Sequence, residues 1–271
     1  MNKSTLEATD ENVLESIKYN TYNRSRDVSD FTEALDLIDG NIFISLDAKW
    51  GEGKSFFVRQ VEMTLKYLLD KNNGKVNVEI EKYFQPNQIL NSIELKNTYL
   101  PIYYNSWLYD NNEDPLLSLL FVLVKECGKY INTDFDNETV GNKLLSLISS
   151  VQISLCGVTL PELSKVKDHL GGKDLLETIK TSEEIRQCIK DILDSIITES
   201  VNKLVIFIDE LDRCKPSFAI EMLERVKHYY DDDRIIFISS VNKECIFRSI
   251  CMPIPIATAW HFRPVLHAFP L

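Results

Sequence analysis

Asn41 to Asp70 reads NIFISLDAKWGEGKSFFVRQVEMTLKYLLD, and this stretch decides the fold. Asn41 to Asp47 is a short apolar run of the kind that forms a buried strand. Ala48-Lys49-Trp50-Gly51-Glu52-Gly53-Lys54-Ser55 follows at once and fits a phosphate-binding loop with Ala in place of its first glycine. Beyond it, Phe57, Val61, Leu65 and Leu68 mark one helical face. Small residues let successive backbone N–H groups turn inward around phosphates; Lys54 then reaches the β and γ phosphates and the Ser55 hydroxyl holds Mg²⁺. The expected nucleotide-binding set is Ala48, Lys49, Trp50, Gly51, Glu52, Gly53, Lys54, Ser55 and Phe56, at the start of a helix whose N-terminus faces the anion. A turn that merely precedes Lys-Ser is the competing reading, and the flanking strand and helix weigh against it. The chain has only 9 glycines in 271 residues, about half the usual share of roughly 7%, so two in one loop are hard to dismiss as chance.

The second motif lies far downstream. Leu204 to Glu210, LVIFIDE, is an apolar run closed by two acids. Asp209 is placed to coordinate Mg²⁺ through water, and Glu210 to polarise an attacking water. A strand ending in solvated acids is common on its own; paired with the phosphate loop it points to a metal-assisted phosphate site. Asn242, closing the run RIIFISSVN, is either a γ-phosphate or water-orienting residue or a plain turn residue. Arg213 is either a phosphate contact, in cis or toward a neighbouring subunit, or a salt-bridge partner of Asp212 or Glu210. Trp50 and Trp107 read as packing residues rather than base-stacking ones, and no Cys/His cluster has zinc-ligand spacing.

Working outward, residues 1–27 are polar and expected to be loose, and Val28 to Asp39 has helical spacing of Phe31, Leu35 and Ile38. A polar insertion is expected over 71–99, then a strand at Tyr99 to Tyr104. Asp114 and Pro115 have the chemistry of a helix cap and first position. A second insertion spans 131–200, with a helical pattern from Asp174 to Ser200 and an alternating stretch from Val151 to Leu160. Pro216 opens a helix with Ala219, Met222, Leu223, Val226 and Tyr230 on one face. Strands apolar throughout, alternating with amphipathic helices, indicate an α/β fold with a mainly parallel sheet covered on both faces, a three-layer sandwich. One inserted domain over 28–250 is expected, followed by a tail, 251–271, that holds four of the nine prolines and no acid.

Composition narrows the function classes. Lys and Arg number 30 against 41 Asp and Glu, a formal net charge of -11, which argues against binding a nucleic-acid duplex through a broad basic face. The longest uncharged run, Leu144 to Leu160, is interrupted by polar residues and shorter than the about 20 residues a spanning helix needs. Six cysteines form no CxxC pair and no regular framework, and the N-terminus lacks a signal-peptide pattern. A cytoplasmic protein without membrane contact is expected.

These motifs resemble the KAP family of P-loop NTPases, in the STAND/AAA-like division. The resemblance covers about residues 28–248 and rests on KWGEGKSFFV, on YYNSWLYDNNEDPLLSLL, on IDELDRCKPSFAIEMLERVKHYY and on IIFISSVNKE. It implies an ATP-driven switch, with members in bacteria, some in phage exclusion, and a requirement for ATP and Mg²⁺. Gly51, Gly53, Lys54 and Ser55 match the family's nucleotide loop, Asp209 and Glu210 its metal-binding and water-activating acids, and Arg213 its Asp-Arg-Cys block. Ala48 stands for the usual Gly, Asn242 for the common Asp, and the family's transmembrane helices between the two motifs are missing. The helical lid that follows in family members is replaced by the proline-rich tail, as a divergent substitute or a truncation. The expected function is Mg²⁺-dependent ATP hydrolysis driving a conformational or assembly switch, with a protein partner or a second copy of the chain. The alternative is a nucleotide-binding scaffold that does not turn over.

Overall fold

The computed structural model describes residues 7–111, 115–130 and 201–242, together with 186, 187, 189–191, 193, 194 and 197. The expected cap at Asp114, the alternating Val151 to Leu160 stretch and the tail 251–271 lie outside the described residues. Two compact units result: one from 7–106, 201–213 and 233–242, the other from 107–111, 115–130, the described positions of 186–197, and 214–232.

Among the described residues the first unit holds a four-stranded sheet: β1 (Ile42–Asp47), β2 (Tyr99–Asn105), β3 (Lys203–Asp209) and β4 (Ile235–Val241). Every pairing is parallel and the spatial order is β1-β4-β3-β2. All seven residues of β4 are buried, as are six of the seven in β3. Strands covered on both faces have no solvent side to alternate toward, which is why they read as continuous apolar runs. The parallel order brings the C-terminal ends of β1, β4 and β3 side by side, with Asp47 opposite Val241 and Ile208 opposite Ser239. Ligands of open parallel sheets bind at that edge.

The helix α3 (Lys54–Asn72) follows β1 and packs across β2, β3 and β4. It is buried nearly all round, from Phe56, Phe57 and Val58 to Leu68 and Leu69, so it has a second covering layer. That layer is the N-terminal segment. Residues 10–27 are not loose: α1 (Asp10–Lys18) and α2 (Ser25–Leu35) pack on α3. Val13, Ile17, Val28, Phe31 and Leu35 are buried there, and the Phe31 ring meets Phe57 edge-on at 5.6 Å. The polarity of residues 1–27 concealed this, because α1 fully buries only Val13, Ser16 and Ile17. Thr9 caps α1, accepting the Asn12 N–H at 3.3 Å.

The 71–99 insertion is likewise partly helical. α4 (Val78–Phe84) and α5 (Gln88–Asn91) are capped by Asn77 and Asn87, whose side chains accept the Glu79 and Leu90 amides. Phe84 stacks on Tyr67 of α3 at 4.1 Å, and α4 and α5 rest on α1 and α2.

The second unit contains α6 (Pro115–Tyr130) and α7 (Pro216–Tyr229), which pack on one another. Leu116, Leu119, Leu120 and Leu123 of α6 are buried, as are Phe218, Ala219, Met222 and Val226 of α7. Positions described within 186–194 are helical, and Ile189 and Leu193 are buried as their spacing predicts. Among the described residues no helix is long and apolar enough to cross a membrane.

Candidate functional site

The loop between β1 and α3 is shaped by its glycines. Gly51 has φ 85° and Gly53 φ 77°, conformations in which a Cβ is strained. Gly53 occupies the N-cap position, so α3 starts at Lys54 with its first amides directed at the loop interior. Glu52 closes the turn: its amide donates to Lys49 O at 3.3 Å and its carboxylate accepts the Lys49 N–H at 2.8 Å. The Lys54 ammonium is folded back onto the loop, donating to Ala48 O at 2.5 Å, with the Asp212 carboxylate 3.8 Å away. Lys49, Trp50, Gly51 and Glu52 are exposed, while Ala48 and Phe56 are buried.

Opposite the loop, β3 delivers its two acids in different ways. Asp209 is 1% exposed, and its carboxylate accepts from Tyr103 Oη at 2.7 Å, from the Glu210 amide at 2.9 Å and from Ser240 Oγ. Oδ1 takes the Glu210 amide and the Ser240 hydroxyl and Oδ2 takes Tyr103, so these donors fix the carboxylate while Oδ2 retains a second lone pair. Burial, and then the adjacent Asp209 charge, push the Tyr103 phenol far above its ordinary pKa, so Tyr103 stays a donor. The Arg59 guanidinium sits 4.4 Å over the same ring. Glu210 leaves the strand at φ 62°, uncommon for a residue with a side chain. That turn aims Oε1 at Ser55 Oγ, 3.4 Å away, although the two residues lie 155 positions apart. Burial raises the Glu210 pKa; the Arg213 guanidinium, whose Nε lies 2.9 Å from Glu210 Oε2, works in the opposite direction. Of the two salt bridges considered for Arg213, this is the one formed.

Asp212 binds three parts of the site together. Its Oδ2 accepts from Trp50 Nε1 at 2.8 Å and from the Asn242 amide at 3.0 Å, and it faces the Lys54 ammonium. Trp50 is thus no packing residue; it is 62% exposed and its ring N–H is tied to the turn after β3. Trp107 belongs to the second unit.

Strand, loop and acid-bearing strand therefore form one constellation. A family profile described as the KAP family P-loop domain matches residues 24–252. The chain belongs to the KAP family. It is also similar to the uncharacterized protein MJ0182 of Methanocaldococcus jannaschii, 24% identical over 168 residues, covering 50% of this chain and 86% of that protein.

A KAP P-loop domain calls for a nucleotide and, in most cases, Mg²⁺, and the residues present fit both. Mg²⁺ takes oxygen ligands and is usually held by one or two protein groups plus phosphate oxygens. Ser55 Oγ, beside the Glu210 carboxylate, and the buried Asp209 supply such oxygens. Three contributors to this KAP site went unread as such in the sequence. Ser240 left a faint trace as one of two serines in a strand of otherwise apolar residues, and Asp212 stood inside the Asp-Arg-Cys block. Tyr103 left none, since its role arises from β2–β3 register.

Proposed function

We propose that this KAP domain binds Mg²⁺-ATP at residues 48–56 and hydrolyses it to drive a conformational or assembly switch. The observation that best supports this is the approach of Ser55 Oγ to Glu210 Oε1 at 3.4 Å. It brings together the hydroxyl proposed for metal binding and the carboxylate proposed as general base. Loop amides and the α3 N-terminus bind the phosphates, and Lys54 exchanges Ala48 O for a phosphate oxygen. Ser55 and Asp209 would hold Mg²⁺, which when bound offsets phosphate charge. Glu210 orients water and accepts its proton, and Arg213 and Asn242 are the further residues proposed to act on the transferred phosphate. ATP over GTP, a protein partner or second copy and a place in bacterial defence or signalling rest on the family likeness, and a cytoplasmic location on the cysteine usage of the sequence.

The Glu210–Arg213 ion pair favours a second reading, a nucleotide-binding module without turnover, because it engages one oxygen of the proposed base. Phosphate release separates the two. With Mg²⁺-ATP the chain is expected to release phosphate, and Glu210→Gln to lose about 100-fold or more while still binding nucleotide. Equal rates for the two proteins would leave only the binding module, and nucleotide binding that survives Lys54→Ala would remove the loop from both readings.

A further inference from the structure

The carbonyl side of the phosphate loop is held by a residue outside the motif. Arg24 Nη1 donates to Gly53 O at 3.1 Å and Nη2 to Glu52 O at 3.1 Å, from 29 and 28 positions upstream. In a trans peptide the N–H points away from the C=O of the same plane, and no peptide among the described residues is cis. The two planes gripped by Arg24 are those that carry the Gly53 and Lys54 amides. A cation on their carbonyl ends fixes their orientation and polarises their N–H ends, which face the opposite way.

The grip is itself braced. Ser25 donates from its amide and its hydroxyl to Asn20 Oδ1, at 2.9 and 2.6 Å. Asn87, 6% exposed, donates to Ser25 Oγ at 2.7 Å and to Ile17 O at 2.6 Å. The backbone that carries Arg24 is therefore tied to α1 and to the N-cap of α5, within the 71–99 insertion. Gly53 makes room for the fork: a Cβ there would lie 3.0 Å from Arg24 Nη1.

We infer that Arg24 is a positioning residue for the nucleotide loop, setting the Gly53 and Lys54 amides for a polyphosphate, given the nucleotide role proposed for that loop. A bidentate guanidinium suits two successive carbonyls, and a lysine ammonium does not replace it. The test is titration of the chain with N-methylanthraniloyl-ATP and Mg²⁺, alongside Lys54→Ala, Arg24→Ala and Arg24→Lys, with melting temperatures. Arg24→Ala is expected to bind about ten-fold more weakly, the scale of losing charge-assisted hydrogen bonds, and Arg24→Lys to fall between it and the unmodified chain. Guanidinium chloride at non-denaturing concentration is expected to restore Arg24→Ala and leave Lys54→Ala unchanged, which a general loss of packing would not show. Unaltered affinity in both Arg24 variants overturns the inference, as does a loss that guanidinium fails to restore. Should Arg24→Ala not fold, unaltered affinity in Arg24→Lys alone overturns it. Absence of binding by the unmodified chain removes the nucleotide reading itself, and this inference with it.

Discussion

The phosphate loop and the N-terminal helices α1 and α2 touch through Arg24, yet they are built by different physics. The loop buries little: Lys49, Trp50, Gly51 and Glu52 are exposed, and its form comes from glycine dihedrals and a few hydrogen bonds. The helices depend on burial, with Val13, Ile17, Val28, Phe31 and Leu35 at 2% exposure or less. A loop of this kind can change its contacts at low cost when a ligand arrives, whereas a buried layer cannot. Substitutions in the helices should therefore act on folding, and substitutions in the loop on binding.

The largest expected effect tests the helix side. Phe31→Ala removes a ring packed on Phe57 and should cost about 3–5 kcal/mol of stability, read from urea unfolding. A loss below about 1 kcal/mol would mean that α2 is not part of the core, and the comparison breaks. On the loop side, Gly53→Ala forces an alanine to φ 77° and against Arg24, at about 1–2 kcal/mol of strain. Nucleotide affinity should fall about ten-fold, with a drop in melting temperature of only a few degrees, roughly 2–8 °C for that strain. Gly51→Ala meets the same kind of strain at φ 85° but nothing within 4 Å, so it should cost less; a larger loss at Gly51 would shift the constraint away from the Arg24 side.

The smallest effect is a pH dependence of the helix side. Asp36, just after α2, accepts from the Lys96 and Asn97 amides and from Tyr99 Oη. Burial alone would raise its pKa, but these hydrogen bonds outweigh it and the net shift is downward. A carboxyl whose folded pKa is depressed adds stability above its unfolded pKa, and that stability is lost as pH falls through the folded value. Asp36→Asn should cost on the order of 1 kcal/mol near neutral pH. The gap in melting temperature between the two proteins should close as pH drops below about 4. A gap that widens in acid would reverse the sign of the shift.

Legibility follows the same division. Strands β3 and β4 were readable because strands buried on both faces must be apolar throughout, β1 because its apolar run, with Ile44 and Leu46 buried, precedes the loop, and the loop because only glycines adopt its dihedrals cheaply. The helix from Pro216 was readable through its first-position proline and through Ala219, Met222 and Val226, all buried. The segment 10–27 was not, since a short helix that buries a narrow stripe has the composition of a solvated tail. Glu210 was legible as an acid after a strand, but its φ of 62° was not, because that conformation is imposed by neighbours rather than by its own preference.

The sequence by itself determined the order strand, loop, helix and the identity of the acids, because local chemistry sets those: glycine for positive φ, Lys and Ser for phosphate and metal, an apolar run for a buried strand. Tertiary structure decided the rest. The β1-β4-β3-β2 order put Ser240 against Asp209 and the Asn242 amide against Asp212, and the packing of α2 on α3 brought Arg24 behind the loop. Trp50 and Asp212, joined across 162 positions, show how far apart such partners can lie. No local preference encodes them; only the burial of one shared core fixes which ends meet.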